Sequence, residues 1–87
     1  MTAKKYLATI TILVKDRQVH AKDMNQLLTY NGSLILSRLG VNVERIGIKN
    51  YTGLIVVVVE GEKIELDILV KKIDELYGIV AKINIME

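Results

Sequence analysis

The chain of 87 residues has no cysteine, no tryptophan and no phenylalanine, and its only histidine is His20. Without cysteine there is no disulfide framework, no thiolate metal site and no cysteine nucleophile; the absence fits a reducing compartment, and a cytoplasmic location is expected. A lone histidine does not make a metal centre, and it reads as a half-buried side chain satisfied locally, so neither metal nor cofactor is expected. The aromatic residues are four tyrosines, Tyr6, Tyr30, Tyr51 and Tyr77, against 51% hydrophobic residues in all, which predicts an aliphatic core. GxGxxG, Walker, GxSxG and HExxH motifs are absent, and the acids fall on predicted helix surfaces or caps; the chain is not expected to be an enzyme. No apolar run approaches the ~20 residues of a membrane helix. Lys4-Lys5 before residues 6–14 has the outline of a signal peptide, but Thr9 and Thr11 interrupt it and no cleavage site follows. A soluble protein without a membrane partner is expected.

The strongest positive feature is Gly53-Leu54-Ile55-Val56-Val57-Val58-Val59-Glu60-Gly61. Six consecutive apolar residues, mostly β-branched and bracketed by glycine, predict a strand. Side chains alternate faces along a strand, so an uninterrupted apolar run implies burial on both faces. A chain of 9.8 kDa is one domain, here residues 1–87. It hides only roughly 60–65% of the surface its unfolded form exposes, and it is too short for a second helical layer. Its own helices can cover one face of the sheet, and another copy is expected to cover the other.

Taken in order, residues 6–15 alternate, with Ala8, Ile10, Ile12 and Val14 on one face and Leu7, Thr9, Thr11 and Leu13 on the other, predicting a first strand whose mixed face meets a partner subunit. Asp16 is a candidate helix N-cap. From Arg17 the period becomes helical, with His20, Met24, Leu27 and Leu28 on one stripe and Lys22, Asp23 and Gln26 off it. Tyr30-Asn31-Gly32 is expected to end the helix with glycine in the left-handed conformation. A second strand is predicted over 34–39, a loop or wide hairpin over 40–47, and a third strand from near Ile48 to Glu60, kinked at Gly53. Residues 61–63 read as a turn. A second helix over 64–77 buries Leu66, Leu69, Val70, Ile73, Leu76 and Tyr77, with Gly78 stopping it and a last strand over 80–86.

This order, strand, helix, strand, strand, helix, strand, predicts an α+β fold of the ferredoxin-like βαββαβ type: a four-stranded antiparallel sheet with the first and third strands central and two helices on one face. Charge is unevenly spread. Residues 1–50 hold eight basic and three acidic side chains, a balance of +5; residues 51–87 hold four and seven, a balance of −3. Such a split helps subunits associate or collects an anion, and Arg17, Arg38 and Arg45 offer planar forks for carboxylate or phosphate. RNA-binding modules on this fold stack bases on aromatics of the open sheet face. Threonine and valine stand there, and no helix-turn-helix or ribbon arm precedes the domain, so direct nucleic-acid binding is not expected.

Residues 12–17 (ILVKDR), Asn25 with Leu28, Gly32 with Leu34-Ile35, Arg38-Leu39-Gly40-Val41 and Arg45-Ile46-Gly47-Ile48 resemble, in order and spacing, the small proteins called iron-only hydrogenase system regulators. The resemblance continues through residues 54–58 and Gly61 to Gly78. Leu39 and Asn42 stand where the family pattern has Met and Pro, and Tyr77 replaces a Pro. The resemblance implies an ACT-like fold, similar also to the C-terminal domain of nickel-responsive repressors, though with one histidine and no cysteine the square-planar nickel site of those repressors cannot be built. It further implies subunits paired through their sheets and small effectors bound near subunit interfaces and the turn after the first strand.

The leading expectation is therefore a homodimeric or homotetrameric regulatory domain, transcriptional or metabolic, that senses a small anionic or amino-acid-like effector. The candidate ligand residues are Asp16, Arg17, Arg38, Gly40, Arg45 and Gly47, and the candidate subunit interface comprises Thr9, Thr11, Leu54, Val56 and Val58. The alternative is a ligand-free module docking on a hydrogenase maturation or signalling partner.

Overall fold

The computed structural model describes residues 4–15, 17–43 and 52–86, with the side chains of 17–21, 41–43 and 52 outside the description. The elements are β1 (Lys5–Lys15), α1 (Arg17–Tyr30), a 3-10 turn (Gly32–Leu34), β2 (Ile35–Val43), β3 (Thr52–Glu62), α2 (Lys63–Asp74) and β4 (Ile79–Ile85). They build one antiparallel sheet in the order β2-β3-β1-β4. This is the ferredoxin-like βαββαβ arrangement, with the first and third strands central as the element order requires.

The alternation of β1 becomes a division of labour. Ala8, Ile10, Ile12 and Val14 are fully buried, whereas Thr9 and Leu13 are half-buried and Leu7 and Thr11 exposed. β3 lies antiparallel beside it, pairing Ile10 with Val57 and Ile12 with Ile55, so the buried rows of the two central strands coincide. Met24 and Leu28 of α1, and Leu66, Leu69 and Ile73 of α2, close over Ile55, Val57 and Val59, with Ile79 and Ala81 of β4 at the flank. Every buried side chain among the described residues is apolar.

The other face carries Leu54, Val56 and Val58, half-buried in the single chain. The apolar run of β3 is thus split between a covered and an uncovered face, as strand geometry demands.

Several boundaries differ from the sequence reading. β2 does not stop at Leu39 but runs through Gly40 to Val43, because Leu39, Gly40 and Val41 find ladder partners in Val56, Ile55 and Leu54. The one irregularity of that ladder falls between Ile35 and Ser37, and the register through Gly53 is continuous, so β3 is not kinked there. Residues 61–63 form no turn: β3 extends to Glu62, which is at once the last strand residue and the N-cap of α2. The backbone N–H of Glu62 donates to the carboxylate of Glu65 at 2.9 Å, closing the helix start on itself. Gly32 opens the 3-10 turn instead of closing α1 in the left-handed region, which among the described glycines is occupied by Gly78, at φ 74°. α2 ends at Asp74 rather than at Tyr77, and Tyr77 is 86% exposed. The expected cap at Asp16 and the expected strand entry at Ile48 lie outside the described residues.

Candidate functional site

Of the six candidate ligand residues, Arg38 and Gly40 are described in full, two positions apart on β2. Arg17 is described as the first residue of α1 but not in its side chain. Asp16, Arg45 and Gly47 lie outside the described residues, as does the side chain of His20.

Arg38 pairs in register with Val57, one of the buried residues beneath the helices, so it stands on the helix-covered side of the sheet. A cation there is tolerable because β2 is an edge strand. The guanidinium reaches past the flank of α1, and Nη2 donates to Oδ1 of Asn25 at 2.6 Å in an exposed bond. Among the described residues Asn25 is its sole hydrogen-bond partner, which leaves the remaining donors of the fork for an anion. Asn25, which the site reading omitted, belongs to a polar stripe of α1 lining a shallow surface depression with Lys22, Gln26, Thr29 and Tyr30. The spacing of that stripe is legible in the sequence; what could not be read is that β2 carries an arginine to its border.

One further placement follows from register. Lys15 pairs with Thr52, and Thr52 with Val43, so β1 leaves the sheet toward α1 in the same row in which β2 ends. Arg17, at the start of α1, is therefore at the end of the sheet where β2 ends, and Arg38 is farther down the same edge strand.

The five candidate interface residues share one surface. Leu13, Leu54 and Val80 form one row across the open face; Leu39, Val56, Thr11 and Lys82 form the next; Ser37, Val58, Thr9 and Asn84 form a third. Leu39 is 64% exposed and Val80 38%. Within the described residues no helix crosses this face. No cluster of three or more histidine, cysteine, aspartate or glutamate side chains suited to a metal ion occurs among the described residues.

A family model described as TM1266-like, an iron-only hydrogenase system regulator, matches residues 6–83. The chain belongs to the TM1266-like family. That match spans β1 to nearly the end of β4 and so includes both Arg38 and the open face. The chain is also similar to the solved structure of an uncharacterized protein, TM1266 from Thermotoga maritima, with 24% sequence identity, a TM-score of 0.85, and coverage of 97% of this chain and 100% of that one. At that identity the likeness shows a common fold. No curated protein matches. The sequence resemblance to iron-only hydrogenase system regulators thus stands as family membership.

Proposed function

We propose that this TM1266-like chain is a non-catalytic, cytoplasmic regulatory domain of the ACT-like kind, which self-associates through its open sheet face and senses a small anionic or amino-acid-like effector near the subunit boundary. The observation that carries the reading is the row structure of the open face. Leu13, Leu39, Leu54, Val56, Val58 and Val80 are contiguous, no helix among the described residues covers them, and a contiguous apolar surface of this kind marks an interaction site. The family's description as regulators of the iron-only hydrogenase system supports regulation as the role. The free donors of Arg38 support an anionic effector.

The mechanism is linkage. An effector seated by Arg38 and by Arg17 at the adjoining end of the sheet stabilises one assembly state over another by no more than its difference in affinity for the two. Native mass spectrometry of the purified protein tests this in one spectrum, reporting subunit count and retained small molecules together. An oligomer that loses subunits in Val56→Lys, which puts a charge in the middle of the face, and that releases a bound anion in Arg38→Ala, is the expected result. Val56→Lys without effect on the mass would refute the interface. An unchanged anion in Arg38→Ala would refute the site.

A further inference from the structure

The outer face of α1 is unlike that of α2. On α2, Lys71 stands four residues after Asp67 and four before Glu75, the mixed-sign spacing of an ordinary solvated helix face. On α1, Lys22, Asn25, Gln26, Thr29 and Tyr30 follow one another at the spacing of a single stripe, about 12 Å long. They line a depression of about 690 Å³, within the roughly 300–1,000 Å³ of small-molecule sites. Among the described residues no acid lines it. Asp23 follows Lys22 in sequence but is not on the stripe, because adjacent residues of a helix do not face each other.

The two helices are also moored to the sheet by opposite charges. Asp74 of α2 accepts the Ala81 N–H of β4 at 2.8 Å through Oδ1, which spends an anion on the protein itself. For α1 the tie is a cation, Arg38 of β2, bonded to Asn25. Asn25 is the centre of the stripe. Its backbone C=O accepts the Thr29 hydroxyl at 2.9 Å, so the lone pairs of that hydroxyl stay available, as do the side-chain N–H donors of Asn25. Arg38 thereby brings a second cation, from another element, to the rim of a depression that already holds Lys22.

At the far end stands Tyr30, 90% exposed. An exposed aromatic alone needs no explanation, but the backbone beneath this one is held. Asn31 closes the helix on Leu27 C=O twice, with its backbone N–H at 3.2 Å and its side-chain N–H at 2.8 Å. Tyr30 therefore ends the stripe in a fixed turn with its ring open to solvent. It lies about 7.5 Å beyond Asn25 along the helix axis, and long side chains on a helix lean the same way. The depression thus has a cationic end and an aromatic end.

We propose that this depression binds a nucleoside phosphate. Arg38 and Lys22 hold the phosphate, the base stacks on the Tyr30 ring, and the ribose spans the offset between them, beside Gln26, Thr29 and the Asn25 amide. The lack of acid among the lining residues separates this ligand from an amino acid, whose ammonium group would meet two cations and no counter-charge. The inference rests on the reading of Arg38 as an anion donor given above, and it narrows the class of effector. A phosphate shared by Lys22 and Arg38 also ties α1 to the edge strand. Among the described residues α1 buries Met24 and Leu28 where α2 buries Leu66, Leu69 and Ile73, so α1 has more to gain from such a tie.

Titration of the whole chain with the common ribonucleoside monophosphates, ribose phosphate and glutamate, followed by amide NMR, tests the proposal. At least one nucleotide is expected to bind more tightly than ribose phosphate, to shift the amides of residues 22–30 and to slow their exchange. Tyr30→Ala should weaken that nucleotide about tenfold, the loss of one base stack, and leave ribose phosphate unchanged; Arg38→Ala should weaken both. Both side chains are exposed, so both variants are expected to fold, which circular dichroism checks. Ribose phosphate as tight as every nucleotide, or a nucleotide unmoved by Tyr30→Ala, overturns the nucleotide site, and loss of phosphate binding in Arg38→Ala then leaves the anion reading standing. Glutamate bound through Arg38 in preference to any nucleotide has the same meaning. Nucleotide binding that needs Tyr30 but persists in Arg38→Ala overturns the anion reading and the phosphate clamp with it. A single-stranded oligonucleotide bound more tightly than any mononucleotide overturns the free nucleotide as ligand.

Discussion

Gly61→Ala tests the junction of β3 and α2 most directly. Gly61 is buried, and a Cβ there would lie 3.0 Å from Leu34 Cδ2, 3.3 Å from Glu65 Oε1 and 3.5 Å from Leu66 Cδ2. The first two distances are shorter than nearly all real contacts of this kind. Both neighbours must give by a few tenths of an ångström, and each shift has a cost: Leu34 ends the 3-10 turn packed against the core, and Glu65 Oε1 accepts the Glu62 N–H that starts α2. Overpacking costs about 1–3 kcal/mol, and losing the helix start costs about 1 kcal/mol. Against these stands a gain of about 0.4–1 kcal/mol from a less flexible unfolded chain. A net destabilisation of about 1–3.5 kcal/mol follows, which in a domain of this size lowers Tm by about 4–8 °C per kcal/mol. Urea denaturation followed by circular dichroism measures it, and Gly40→Ala supplies the contrast within the same sheet, since its Cβ has room and should leave stability equal or higher. Equal stability changes at the two positions would refute the reasoning, because the backbone contribution is common to both and only the surroundings differ.

Ile10→Ala removes a fully buried side chain between Val57 and Ile83 in the ladder and should cost about 2–5 kcal/mol, read as a drop in the urea midpoint with an unchanged slope. Asp74→Ala should cost about 1–2 kcal/mol by orphaning a part-buried N–H, with faster amide exchange at Ala81 as the site-specific signature. No change at Ala81 would mean that water replaces the carboxylate.

The central strands were legible because each carries an unambiguous period: the four buried residues of β1 and the unbroken apolar run of β3 admit no helical reading. Ends were harder to read, and for identifiable reasons. Gly40 and Asn42 look like loop residues, yet the ladder on β3 supplies partners that local propensity ignores. The helical stripe of α2 continues through Leu76 to Tyr77, but Asp74 turns its carboxylate to β4 and the chain leaves the helix there, exposing Tyr77. The site divided along the same line. Arg38 could be singled out by its charge, whereas its contact with Asn25 depends on α1 lying beside β2, which only the fold determines. The open face could be anticipated residue by residue because strand alternation is strict.

The placement of β1 also governs how the molecule is born. This strand is made well before its pairing partners: Leu13 waits for Leu54, and Ala8 for Ile85. Until the ribosome has delivered β3, the Ala8-Ile10-Ile12-Val14 row has no sheet neighbour on either side, and its outer partner β4 comes later still. Contacts this distant in sequence slow folding, since the loop must close before any of them stabilises the chain. The sheet therefore cannot close until β3 and β4 have both been made, and until then a nascent chain presents an uncovered aliphatic strand. A ribosome stalled before β4 should display a protease-sensitive chain, and emergence of β4 should render it resistant.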